Sequence, residues 1–299
     1  MNDHAASAHS HGSHGHGHGH GHGDHDHGAD EGLRELLDLD AEITRDELAA
    51  LTARIADLAG DHPVRDIIDI GSGTGTGTFA LLRRFPDAVS TVVDTSDDML
   101  SHLTTTARGH GLDARIRPLR ADLDAAWPAA PDSADLIWAS SSLHHMADPD
   151  RVLRDIHATL RPGGVLAVVE MADMPRFLPE DLGFGTPGLE ERCHAAMEKT
   201  RAEHVPHIRS DWTSRLTAAG FTVDSHRTLD VSIPAPLPPA ARRYAAATLG
   251  RFRHGLVDTL APEDRATLDT LLDGDGPLSL RHRADLSLTS SRDVWLLTR

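Results

Sequence analysis

The stretch IIDIGSGTGTGTFA, Ile67–Ala80, sets Gly71, Gly73, Gly75 and Gly77 two residues apart directly after an apolar run. Glycines at that spacing leave a backbone bare enough for a nucleotide to lie against it. The chemistry depends on which nucleotide. A Walker-type phosphate loop requires a lysine behind its glycines, and Lys199 is the only lysine in the chain. The dinucleotide fingerprint fits only the frame Gly75, Gly77, Ala80, which starts five residues past the strand end at Ile70. That is too late for the tight turn the motif builds, and it is all that favours an NAD-dependent oxidoreductase. What remains is D-x-G-x-G-x-G from Asp69 to Gly75, a cradle with no phosphate partner. Further polar residues end or follow later apolar runs: Asp94, Asp122 in ADLD, the pair His144 and His145 in SSLHHM, and Glu170.

These residues need a scaffold, and the hydrophobic pattern supplies one. TRDE, Thr44–Glu47, reads as a capping box, and Leu48, Leu51, Ile55 and Leu58 then recur on one helical face. From residue 65 strands and helices alternate. DIIDI (66–70), VSTVVD (89–94), a weak ARIRPL (114–119), ADLIWAS (134–140) and VLAVVE (165–170) read as strands, the last preceded by an RPGG turn. Helices are expected over TFALLRRF, over SDDMLSHLTTTA with Ser96 as its cap, and over DPDRVLRDIHATL. This predicts an α/β fold with a doubly wound parallel sheet, whose ligands sit beyond the carboxyl ends of the strands. Past Glu170 come turns, a helix over GLEERCHAAMEKTRAEH, a second over DWTSRLTAAGF, a strand TVDSHRTLDVSI, a mainly helical stretch and a final strand RDVWLLTR.

In this order the motifs resemble the class I S-adenosylmethionine-dependent methyltransferases, closely over residues 63–175 and in outline over the C-terminal third. The resemblance implies a Rossmann-like, mainly parallel seven-stranded sheet with an antiparallel last strand and helical lid insertions. It implies S-adenosylmethionine as cofactor and S-adenosylhomocysteine as product. Asp69, Gly71, Ser72, Gly73 and Gly75 would form the loop around the methionine part, with Gly77 surplus to the motif. Asp94 and Thr95 would meet the ribose, Asp122 the adenine amino group with the Leu123 N–H beside it, and Ser140 the end of the fourth strand. His145 first, and His144 second, are the candidates for a base or an acceptor-positioning group beside the methyl. Glu170 would anchor a loop or contact an acceptor amine. Methyl transfer is an in-line displacement that gains chiefly from alignment, and a base is needed only if the acceptor must lose a proton.

The implied organisation is a disordered His/Gly-rich tail (1–32), a helical segment (33–62) and a cofactor-binding core (63–175). A helical lid or acceptor region (176–220) follows, then late strands (221–299) with a helical insertion (237–284). The implied function is methylation of an O, N or C atom of a small organic acceptor. A protein acceptor and a non-catalytic cofactor- or metal-binding role are the alternatives. The bias of 28 arginines to one lysine is associated with high-GC bacteria, where such enzymes tailor secondary metabolites.

Composition narrows the partners. The net charge of −17 argues against nucleic acid and membrane surfaces, which need a basic face. Cys193 is the only cysteine and no 18-residue apolar run occurs, so a cytoplasmic monomer or homodimer is expected. Ten of the 22 histidines precede residue 30, a run that would take up Ni²⁺ or Zn²⁺ adventitiously without the rigidity of a catalytic metal site. His194, His204 and His207 are read as solvated lid residues, because Pro206 breaks the helical spacing that metal ligands need. Trp212 and Phe184 are read as core rather than acceptor pocket, and the sole tyrosine, Tyr244, has no assigned role.

Overall fold

The computed structural model describes residues 24–299, with backbone alone at residues 24–30 and 203. Seven strands form one sheet: β1 (Asp66–Ile70), β2 (Val89–Asp94), β3 (Ile116–Arg120), β4 (Ala134–Ser140), β5 (Leu160–Arg176), β6 (Thr222–Ile233) and β7 (Leu288–Thr298). Their order is β3-β2-β1-β4-β5-β7-β6. The first five pair in parallel, while β7 runs antiparallel to both β5 and β6. This is the expected α/β sheet with its antiparallel last strand.

The central strands are apolar along their length because both faces are covered. On one face α2 (Arg45–Ala59), α3 (Thr76–Arg84) and α4 (Asp97–Gly109) bury Ile55, Leu81, Leu82 and Leu103 against Ile67, Leu136 and Val165. On the other, α5 (Pro149–Thr159) and α7 (Trp212–Ala218) bury Val152, Ile156, Trp212 and Leu216 against Ile70, Ile137 and Val168. Ser96 caps α4 as expected, its Oγ accepting the Met99 N–H at 3.2 Å. A third apolar body rests on the far ends of β5, β6 and β7, where α1 (Asp24–Ile43), α6 (Leu189–His204), α8 (Pro239–Gly255) and α9 (Pro262–Leu272) gather Leu39, Leu189, Leu249 and Leu268 around Phe177 and Phe252.

One charge lies inside this frame. The Asp135 carboxylate on β4 accepts the N–H groups of Arg65 and Asp66 and pairs with Arg161 at 2.6 Å. Burial opposes the charged form, but those donors outweigh it and hold the carboxyl below its ordinary range. The aspartate thereby clamps the entrances of β1 and β5 to β4.

Three local expectations change. Thr44 makes no side-chain cap; its Oγ1 donates to the Asp40 carbonyl at 2.8 Å. The Asp40 carbonyl also accepts the Thr44 N–H at 2.9 Å, so Thr44 extends the last turn of α1, which runs up to Ile43. RPGG does not end the chain's course before β5. It lies within the strand as an irregularity, so that Leu160 pairs with Ala134 and Val165 with Leu136. α1 starts at Asp24, inside the stretch 1–32 read as tail, and residues 1–23 lie outside the described residues. Among the described residues no helix is long and apolar enough to cross a membrane.

Gly77 has a packing reason that its place in the loop does not reveal. A Cβ there would lie 2.3 Å from Nε1 of Trp138, a β4 side chain that is 4% exposed. The indole occupies the space an alanine would need. Gly77→Ala is therefore expected to destabilise the fold by about 1–3 kcal/mol, read as a lower urea midpoint with a shifted Trp138 emission. An unchanged midpoint would refute this.

Candidate active site

The glycine loop is built by backbone bonds to its neighbour strand. The N–H groups of Gly71 and Ser72 both donate to the Val93 carbonyl of β2, and the Gly75 N–H donates to the Ser72 carbonyl at 2.9 Å. Gly71, Gly73 and Gly75 have φ of 64°, 49° and 87°, a region that L side chains rarely adopt. A Cβ on Gly71 would sit 2.6 Å from the Ser142 Cβ, and one on Gly75 2.6 Å from Leu103 Cγ. Gly73 has only the tip of Leu37, on α1, at 3.4 Å. The loop's one uncrowded glycine is thus its middle one.

Asp69 lies beneath this loop, 2% exposed, and accepts from Thr78 Oγ1 at 2.5 Å across the start of α3. Burial raises its pKa to about 7 against the lowering by Thr78, and the nearby Asp94 charge adds to the rise. A carboxyl whose folded-state pKa exceeds its unfolded value binds more protons folded than unfolded. Its contribution to stability therefore falls as pH rises from about 4 to about 7. Asp69→Asn removes that titration. In calorimetry across this window, the melting temperature of the variant relative to wild type is expected to climb with pH, and a constant difference would contradict it.

Asp94, at the end of β2, spans two backbones. Its Oδ2 accepts the Gly73 N–H at 2.9 Å and its Oδ1 the Ser96 N–H at 2.9 Å. Thr95 is exposed beside it. Asp122 is exposed after β3; its Oδ1 accepts the Asp124 N–H at 2.9 Å, and its other oxygen has no partner among the described residues. Leu123 buries its side chain and offers its carbonyl to Arg151 at 2.5 Å. Asp124 accepts the Ala147 N–H with both oxygens at 2.9 Å, which joins this segment to the one after β4. Ser140 closes β4 opposite Val169, and Ser141 turns the chain with φ of 50°. The carboxyl ends of β1 to β4 are thus linked to one another.

The segment after β4 forms a single helical turn, Leu143–His145. His144 is buried and its Nδ1 lies 2.5 Å from Glu170 Oε2, while Glu170 Oε1 accepts the Leu143 N–H at 3.1 Å. A carboxylate so placed accepts from both, which puts the imidazole proton on Nδ1 and leaves Nε2 as an acceptor. That Nε2 has no partner among the described residues and is not sealed from solvent. His145 is exposed, with its ring 4.2 Å from that of His144. Desolvation lowers its pKa, and the nearby His144 and Arg201 lower it further, which favours the neutral ring.

The other residues singled out from the sequence lie elsewhere. His194 is buried against Phe252, His204 Nδ1 meets the Thr200 carbonyl, and His207 faces Arg215. His194 is thus core rather than solvated. Trp212 packs beneath the sheet, and Phe184 lies by the helical body under Arg283. Tyr244 packs on Phe177 at 5.5 Å, and burial raises its hydroxyl pKa. Two residues near this site were not singled out from the sequence, Ser142 and Arg201. Ser142 gives no periodic signal, and Arg201 lies on a helix whose sequence does not tell which face is covered.

The family model described as "Methyltransferase domain" matches residues 67–164. A trans-aconitate 2-methyltransferase of Mycolicibacterium gilvum is 30% identical over 253 residues, covering 79% of this chain and 87% of that protein. The chain belongs to the class I S-adenosylmethionine-dependent methyltransferases. An enzyme of the same name from Azoarcus sp. is 30% identical over 216 residues, 72% of this chain and 62% of its own length. The chain spans less than two thirds of the length of most curated relatives it matches. A solved structure of a candidate methyltransferase from Bacillus halodurans shares the fold, with a TM-score of 0.53 at 14% identity, over 83% of this chain and 97% of that one.

The residues at this site fit the family's cofactor. The hydroxyls of Ser72 and Ser142 are buried at the loop with no partner among the described residues. Gly71 and Gly73 present bare backbone there, and Asp94 retains free lone pairs for hydroxyl donors. No phosphate-binding lysine is needed, and none is present.

Proposed function

We propose that this protein transfers a methyl group from S-adenosylmethionine to an oxygen, nitrogen or carbon atom of a small organic acceptor. Bound S-adenosylmethionine supplies an electrophilic methyl on a sulfonium. Asp94 accepts the ribose hydroxyls, Asp122 and the Leu123 N–H flank the adenine, and the Gly71–Gly75 backbone with Ser72 and Ser142 cradles the methionine part. His144 takes the acceptor's proton at Nε2, and Glu170 fixes the ring and stabilises the imidazolium that results. His145 lies beside it as a neutral wall.

The observation that carries this reading is the buried Nδ1–Glu170 contact at 2.5 Å, which leaves Nε2 without a partner among the described residues just past the carboxyl end of β4. Methyltransferase relatives named for trans-aconitate favour a small acceptor. Calorimetry with S-adenosylhomocysteine, followed by a radiolabelled-methyl screen of small acceptors, tests it. Failure of the product to bind at millimolar concentration would remove the reading.

A further inference from the structure

Arg201 lies on the last turns of α6 and is only partly exposed. The one hydrogen-bond contact of its side chain among the described residues is a weak one, from Nη1 to the Met171 sulfur at 3.9 Å. Met171 directly follows Glu170, and the Arg201 charge acts on His145. The guanidinium therefore lies close to the residues that directly follow Glu170 and His144 in the chain, Met171 and His145. The natural partner is taken: Glu198, one turn back on α6, is held by Arg209 at 2.5 and 3.0 Å through both oxygens. Burial lowers the Arg201 pKa, the Glu198 charge opposes this from a distance, and Arg251 and Arg209 add positive charge that lowers it further. An arginine removed from water normally spends its five donors on carboxylate or carbonyl oxygens. Here one thioether accepts, in a chain whose net charge is −17.

We propose that Arg201 binds a carboxylate of the methyl acceptor, so that the substrate class is small organic acids. This rests on the methyl-transfer reading and adds to it the charge of the acceptor. A planar guanidinium takes a carboxylate through two parallel N–H···O bonds, which fixes the acceptor's orientation as well as its charge. The nucleophilic atom is then the one that this orientation brings between His144 Nε2 and the methyl. The cofactor's own methionine carboxylate is the other source of the same chemistry, and the test separates them.

The full chain saturated with S-adenosylhomocysteine is titrated calorimetrically with trans-aconitate and a panel of mono- and dicarboxylic acids, each matched with its neutral amide. The expected result is that acids bind and their amides bind about tenfold or more weaker. Arg201→Gln should lose the acid preference, and Arg201→Lys should recover part of it. Affinity for S-adenosylhomocysteine should stay within about twofold in both variants. The inference is overturned if no acid binds, if amides bind equally, or if Arg201→Gln leaves acid affinity unchanged. A loss of S-adenosylhomocysteine affinity in Arg201→Gln would overturn it too, assigning the arginine to the cofactor's carboxylate. Failure of the wild type to bind S-adenosylhomocysteine would instead sink the methyl-transfer reading on which it stands.

Discussion

Glu170→Gln is expected to slow methyl transfer by about 10²- to 10³-fold while S-adenosylhomocysteine affinity stays within about twofold. Glutamine keeps the size of the side chain but not its two acceptors. Glu170 now accepts from His144 Nδ1 and from the Leu143 N–H. An amide satisfies one of these and presents its NH₂ to the other. If the NH₂ faces Nδ1, the ring takes the opposite tautomer and Nε2 becomes a donor, unable to receive the acceptor's proton. If it faces Leu143, two donors oppose each other and the turn carrying His144 shifts. His144→Ala should lose a similar factor, and the double variant little more, because the two act as a unit. Single-turnover rates with labelled cofactor and an acceptor from the screen provide the check. A Glu170→Gln enzyme at wild-type rate would leave the pair with a purely structural role.

Asp94→Asn should weaken S-adenosylhomocysteine binding by about 10- to 100-fold. The carboxylate is engaged on both oxygens by backbone donors from different segments, Gly73 and Ser96. An asparagine accepts from one and repels the other, so either Gly73 or Ser96 loses its tie to residue 94 before any ligand arrives. The two ribose hydroxyls then meet one acceptor and one donor group where two acceptors stood. The neighbouring Asp69 gains from the same change. Its raised pKa owes part of its rise to the Asp94 charge, so removing that charge eases Asp69 ionisation. Calorimetry gives the affinity and a melting curve the stability. Loss of affinity without loss of melting temperature identifies a binding residue, and unchanged affinity would exclude Asp94 from the cofactor site.

Much of the scaffold was legible because its signals are local. Ser96 caps α4 by reaching three residues ahead, and the periodicity of Val152, Leu153 and Ile156 on α5 needs no partner to be read. The site was legible only where chemistry and position coincide, as at Asp94, a carboxylate ending a strand. Glu170 lies inside β5, its partners lie 26 and 27 residues away, and only the pairing of β4 with β5 brings them together. The sequence favoured His145 over His144 as the base or positioning group; the structure places His144, and not His145, against Glu170. Adjacent histidines in one turn differ in what they face, and that is set by the neighbouring strand.

By itself the sequence determined the alternating strands and helices, the glycine loop, and the absence of any lysine to hold a phosphate there. These follow from periodicity, cap chemistry and residue type, all of which act over a few residues. The tertiary structure alone decided that Gly77 makes room for Trp138, that Glu170 holds His144 rather than solvent, and that Arg201 meets Met171 while Glu198 is engaged by Arg209. Each of these depends on which distant segment packs alongside. A hydrophobic pattern states that a face is covered, and only the packed chain states by what.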